Sequence, residues 1–197
     1  MQTKSPPRME VVKCDEKVSK LTNFVVEYFD RRTAETSDAD HDELLVIALS
    51  AASPVIRALK SAAGQRDLGC VSARLILANV SDTEIQNELR DLGRLEVSWA
   101  RNARLLDAHE QLVLSDSTCW TGDCMRREPS KRDAFECFAD DCRETAVWAR
   151  TSFERLWTAS VPVSNEGLTA DGTIDYQIGA EAQGGLESSD IVAGTRH

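Results

Sequence analysis

Three side chains in the segment RLLDAHEQLVLSDSTCWTGD have types and spacing that suit chemistry: His109, Gln111 and Asp116. An imidazole titrates near neutrality and can act as a nucleophile or as a general acid or base. On a strand, residues two apart share a face, so His109 and Gln111 would point the same way. Asp107, two residues before His109, could orient the ring or could simply be a turn residue. The densest basic stretch, MRREPSKR, follows closely and supplies Arg126, Arg127 and Lys131, with Lys131 followed by Arg132. Arginine binds phosphate well, often through two parallel hydrogen bonds. Each feature also has a plainer reading: His109 as a satisfied polar residue, and the basic run as a solvated loop balanced by Glu128 and Asp133. There is no G-x-S-x-G and no phosphate-binding G-x4-G-K-[ST], so serine-hydrolase and P-loop chemistry have no support.

The elements around this segment predict an α/β domain. LLVIALS (44–50) is a continuous apolar run, suited to a strand buried on both faces. Ser53-Pro54 starts a helix with an N-cap and a proline in its first position. VSARLILAN (71–79) predicts a second strand. Ser81 or Asp82 caps a further helix closed by Gly93, and LEVSWA (95–100) predicts a third strand. This β-α-β-α-β order favours parallel pairing. QLVLS (111–115) and TCWT (118–121) predict two short strands around Asp116-Ser117. SKRDAFECFA and DCRETAVWARTSFERLW predict two helices, and Pro162 ends the fold. Ahead of all this, Val18, Leu21, Val25 and Tyr28/Phe29 recur at helical spacing over 14–32. The four tryptophans, Trp99, Trp120, Trp148 and Trp157, are expected in the core, with Trp120 best placed to line a pocket.

His109, Gln111 and Asp116 form H-x-Q-x4-D, which resembles the H-x-K-x4-D signature of the phospholipase D superfamily. The order of elements over about 43–160, and the closing SFERLW, also resemble one module of that family. The resemblance implies a mixed sheet flanked by helices, here with an extra N-terminal helix. It also implies a histidine that attacks phosphorus, a lysine that stabilises charge on the phosphate oxygens, and an aspartate that holds local structure. The sequence departs from the signature in three ways. Gln111 is neutral where the family has lysine, and losing one such stabiliser commonly costs ~3 kcal/mol, or ~10²-fold in rate. Gly122 follows Asp116 one position too soon, and Thr121-Gly122-Asp123 replaces the usual Gly-Ser pair; counted back from Gly122, Ser115 takes the aspartate position. Finally, the family builds its site from two motifs and this chain has one, since His41 lies in a polar linker and His197 is terminal. The expectation is a degenerate, largely inactive module acting as a dimeric binding or regulatory protein. The alternative is a homodimeric phosphodiesterase or nuclease that joins two copies of His109.

Composition bounds the rest. The 197 residues suffice for one domain with flexible ends, and the net charge of −10 is unevenly spread. Residues 164–197 hold six acids and one base, Arg196, which is half of the excess. An acidic chain argues weakly against nonspecific nucleic-acid binding without excluding a local patch for nucleic acid or another phosphate-containing ligand. A protein partner is also compatible with this composition. No run approaches the ~20 apolar residues of a membrane span, and no signal peptide is visible, so a cytoplasmic location is expected. The six cysteines read as free thiols, and neither a metal nor a cofactor is expected. The expected divisions are a disordered 1–13, a helix and linker over 14–40, the domain over 41–163, and a disordered acidic tail over 164–197.

Overall fold

The computed structural model describes residues 6–34, 43–66, 72–79, 94–101, 108–125 and 128–163. The tail, the linker before residue 43 and the helix expected after Ser81 lie outside the described residues.

Eight strands form one mixed sheet: β1 (Arg8–Val12), β2 (Glu43–Ala48), β3 (Ser72–Leu77), β4 (Arg94–Trp99), β5 (His109–Val113), β6 (Cys119–Cys124), β7 (Ala134–Ala139) and β8 (Val161–Pro162). Their order across the sheet is β1-β7-β6-β5-β2-β3-β4-β8. The β2-β3-β4 centre is parallel and every other pairing is antiparallel. The helices among the described residues are α1 (Lys17–Ala34), α2 (Pro54–Ala63) and α3 (Arg143–Ala159), with a short 3-10 turn at Pro129–Lys131.

The continuous apolar run of β2 is explained by burial on both faces. Leu44, Val46 and Ala48 join the core under α1 and α2, while Leu45 and Ile47 join the core under α3. In α1, Leu21, Phe24, Val25, Tyr28 and Phe29 are buried, and the Tyr28 hydroxyl donates to the Leu114 carbonyl at 3.0 Å. On the other face, Ala146, Ala149, Phe153 and Leu156 of α3 pack on the sheet. Arg74 ties that helix down, bonding Glu43 and Glu154 and lying over the rings of Phe153 and Trp157. None of the described helices is long and apolar enough to cross a membrane.

Two expectations are corrected. Arg8–Val12, placed in a disordered N-terminus, is the edge strand β1 and pairs with β7. The stretch AFECFA, read as part of a helix, is β7. Its burial alternates through exposed Phe135, buried Glu136 and half-buried Cys137 to buried Phe138, the two-residue period of a strand. Partners on both sides decide the matter, and Asp141, with φ of 54°, turns the chain into α3. The β5 strand also starts earlier than expected, at His109 rather than Gln111. The tryptophans divide: Trp120 is fully buried, Trp99 and Trp157 are half-buried, and Trp148 is exposed.

Candidate functional site

Alternation along β5 sends His109, Gln111 and Val113 to the α3 side and Glu110 and Leu112 to the α1/α2 side. A bulge with its additional residue on β6 falls at Gly122–Asp123: His109 pairs with Cys124, but Gln111 pairs with Thr121.

On the α3 side, His109 is exposed at the start of the strand. Its Nδ1 lies 3.0 Å from the Gly122 carbonyl oxygen, which can only accept, so Nδ1 carries the proton and Nε2 is left as the basic nitrogen. Gln111 is buried, and its amide donates to the Ala149 carbonyl of α3 at 2.6 Å. The glutamine therefore fastens strand to helix. Asp116 is 82% exposed at the tip of the turn, 3.5 Å from Arg150. The turn itself is held by Ser115, whose hydroxyl accepts from the Ser117 and Thr118 amides. Of the expected phosphate ligands, Lys131 is exposed in the 3-10 turn, while Arg126 and Arg127 lie outside the described residues. His109 and Gln111 are thus brought together on one strand, whereas Asp116 is turned to solvent.

The α1/α2 side holds a group of charges not singled out by the sequence pattern. Lys17, Glu110 and Glu136 are each 1–2% exposed. Lys17 Nζ lies 3.4 Å from Glu136 Oε1, and neither atom has a further hydrogen-bond partner in the described structure. The other oxygen of Glu136 accepts from the Trp120 indole at 3.0 Å. Glu110 accepts from the Leu49 amide at 3.1 Å and from the Ser53 hydroxyl, whose oxygen in turn accepts from the Ser50 amide at 3.1 Å and does not cap α2. Burial pushes the Glu110 carboxyl up to about 7, against the pull of those hydrogen bonds and of Lys17. Burial also raises Glu136, against its bond from Trp120 and the charge on Lys17. Trp120 folds back over Gly122 so closely that a Cβ there would sit 2.4 Å from the indole. Sequence offered only a faint signal for this group: a lone acid in each of two short apolar strands.

The expected alternative register now has physical content. Counted back from Gly122, the aspartate position is Ser115, the residue that does hold the turn. The lysine position is then Glu110, and the histidine position is Ala108. In one register the lysine position is a buried amide, in the other a buried carboxylate, and in neither a cation.

Two of the described cysteines, Cys119 and Cys137, are unlike reactive thiols. Burial pushes Cys119 up to about 12 and raises Cys137, which keeps both protonated at neutral pH. Cys119 and Cys124 stand at opposite ends of β6, about 17 Å apart at strand rise. Among the described residues, no group of three or more His, Cys, Asp or Glu side chains is arranged to hold a metal ion.

No family model and no curated protein matches the sequence. The fold is similar to NucT from Helicobacter pylori, with a TM-score of 0.53 and 11% identity over 80% of this chain and 99% of that one. It is equally similar to Nuc from Salmonella typhimurium, a phospholipase D family member, with a TM-score of 0.52, 11% identity and the same coverage. The architecture is therefore phospholipase-D-like.

Proposed function

We propose that this chain is a degenerate phospholipase-D-like module that does not turn over phosphodiesters and works as a dimeric binding or regulatory protein. One observation carries this reading: whichever way the signature is aligned, the position that requires a cation holds Gln111, spent on Ala149, or Glu110, buried with Lys17 and Glu136. Phosphoryl transfer develops negative charge on the phosphate oxygens, and a preorganised cation is the main way to stabilise it. A second carboxylate would act in the opposite sense. The only buried cation in the described structure, Lys17, is paired with Glu136 and has under 3% of its surface exposed. The ligand we assign to the module is a phosphate-containing one, nucleic acid included, held on the basic stretch of Arg126, Arg127 and Lys131; a protein partner is the alternative.

A second reading, a homodimeric phosphodiesterase or nuclease, draws on the exposure of His109 and on its Nδ1 anchor, which leaves Nε2 basic as a nucleophile requires. The purified protein decides between them on bis(p-nitrophenyl) phosphate, single-stranded DNA and RNA. The first reading expects no turnover above blank on any of the three. Turnover that disappears in His109→Ala establishes the second.

A further inference from the structure

The β1 strand ends the sheet, and its two faces differ. On the α1/α2 side its side chains make contacts within the chain. Arg8 lies over the Phe138 ring at 5.4 Å, Glu10 reaches Lys20 at 3.3 Å, and Val12 is fully buried. On the α3 side it is bare. Met9 is 61% exposed and Val11 is 54% exposed, and Phe135, paired with Val11 from β7, is 71% exposed. The α3 helix packs on β2, β5 and β6 and leaves these three side chains uncovered among the described residues. An apolar strip along an open strand edge is a site for strand addition.

We infer that a second copy of this chain docks on that edge, β1 against β1 antiparallel about a two-fold axis through Met9. The occupant follows from charge. In this register Arg8, 68% exposed and 3.9 Å from Glu10 of its own strand, stands opposite the partner's Glu10, and the partner's Arg8 opposite Glu10, so the short strand is complementary to itself. Met9 meets the partner's Met9, Val11 stands opposite the partner's Pro7, and Phe135 lies one strand in, so the two bare strips meet at Met9 on one side of a continuous sheet. Pro7 and Pro6, which stand opposite the partner's Val11 and Val12, lack amide hydrogens and limit the new ladder to Arg8–Glu10, which favours a closed pair over a growing sheet.

This inference rests on the dimeric reading above and sharpens it. Across such a dimer, β5 and the partner's β5 are seven strand spacings apart, about 34 Å. The two His109 rings cannot share a phosphorus in it, so the edge dimer is a binding arrangement and not a catalytic one.

Light scattering on the full chain over a concentration series tests the inference, with circular dichroism to monitor folding. The wild type is expected to be a dimer. Met9→Lys with Val11→Lys changes only exposed side chains and is expected to give a folded monomer. Arg8→Glu alone is expected to weaken the dimer roughly tenfold, and Arg8→Glu with Glu10→Arg to restore it. A wild-type dimer that survives the double lysine substitution overturns the edge and leaves the dimeric reading standing. A wild-type monomer overturns both.

Discussion

The two faces of the sheet around β5, β6 and β7 use polar residues in opposite ways. On the α1/α2 side, three ionisable groups, Lys17, Glu110 and Glu136, are sealed in the core beside Trp120. On the α3 side, one neutral amide, Gln111, is buried with its partner satisfied, and the only imidazole among the described residues, His109, is exposed. A buried ion pair with few supporting hydrogen bonds is a poor way to stabilise a fold, because desolvation offsets its attraction. The side with the charges is therefore costly and closed, while on the side with the histidine the described cations Arg74 and Arg150 are paired with Glu43, Glu154 and Asp116. Catalysis of phosphoryl transfer needs the charge and the opening in one place.

The largest expected effect breaks the closed face. Lys17→Ala leaves Glu136 buried without its cation and should lower unfolding free energy by about 3–5 kcal/mol in urea titrations. Lys17→Met with Glu136→Gln removes both charges and should be close to wild type; equal losses in the single and the double variant would show that the pair itself does not matter.

The next effect is a pH dependence. The Glu110 carboxyl is near 7 when folded and near 4.5 when unfolded, so the folded state binds the extra proton between those values. Its stability contribution is complete below about pH 4.5 and is lost as pH rises through 7, a change on the order of 3 kcal/mol. The raised Glu136 acts in the same direction. Glu110→Gln keeps an acceptor for the Leu49 amide and should be more stable than wild type at pH 8, with a flatter profile between pH 5 and 8. A wild-type stability that climbs steadily from pH 5 to pH 8 would contradict this.

A smaller effect tests the bulge where the two faces meet. Gly122→Ala forces a methyl against the Trp120 indole and should cost about 1–3 kcal/mol by thermal or urea unfolding, with loss of the native tryptophan environment in near-ultraviolet dichroism. The smallest belongs to the open face. His109→Ala removes an exposed ring and should change stability by no more than about 0.5 kcal/mol.

Much of the fold was legible because local pattern and tertiary role agree. The LLVIA run of β2 is apolar on both sides because both sides are covered, and Ser53-Pro54 starts α2 as expected. What was not legible depends on partners far along the chain. Arg8–Val12 becomes a strand only because β7 is there to pair with it, and AFECFA becomes a strand because β1 and β6 flank it. The candidate site failed to read for a related reason. The bulge at Gly122–Asp123 adds one residue on β6, so counting back from Gly122 moves the signature by one residue along β5, and a one-residue shift exchanges the two faces. Spacing alone identified His109, Gln111 and the Ser115 alternative to Asp116. It could not show that the neighbour between them, Glu110, is the residue aimed at Lys17 and Glu136.

The central claim is that the chain does not turn over phosphodiesters, and that the missing cation at Gln111 is joined by the solvent-turned Asp116 and the single motif; restoring the lysine tests it most directly. Turnover of bis(p-nitrophenyl) phosphate is to be measured for the wild type, for Gln111→Lys and for Gln111→Lys with His109→Ala, each checked as folded by circular dichroism. The account predicts that all three stay at the blank. Turnover in Gln111→Lys that vanishes when His109 is also removed would contradict it.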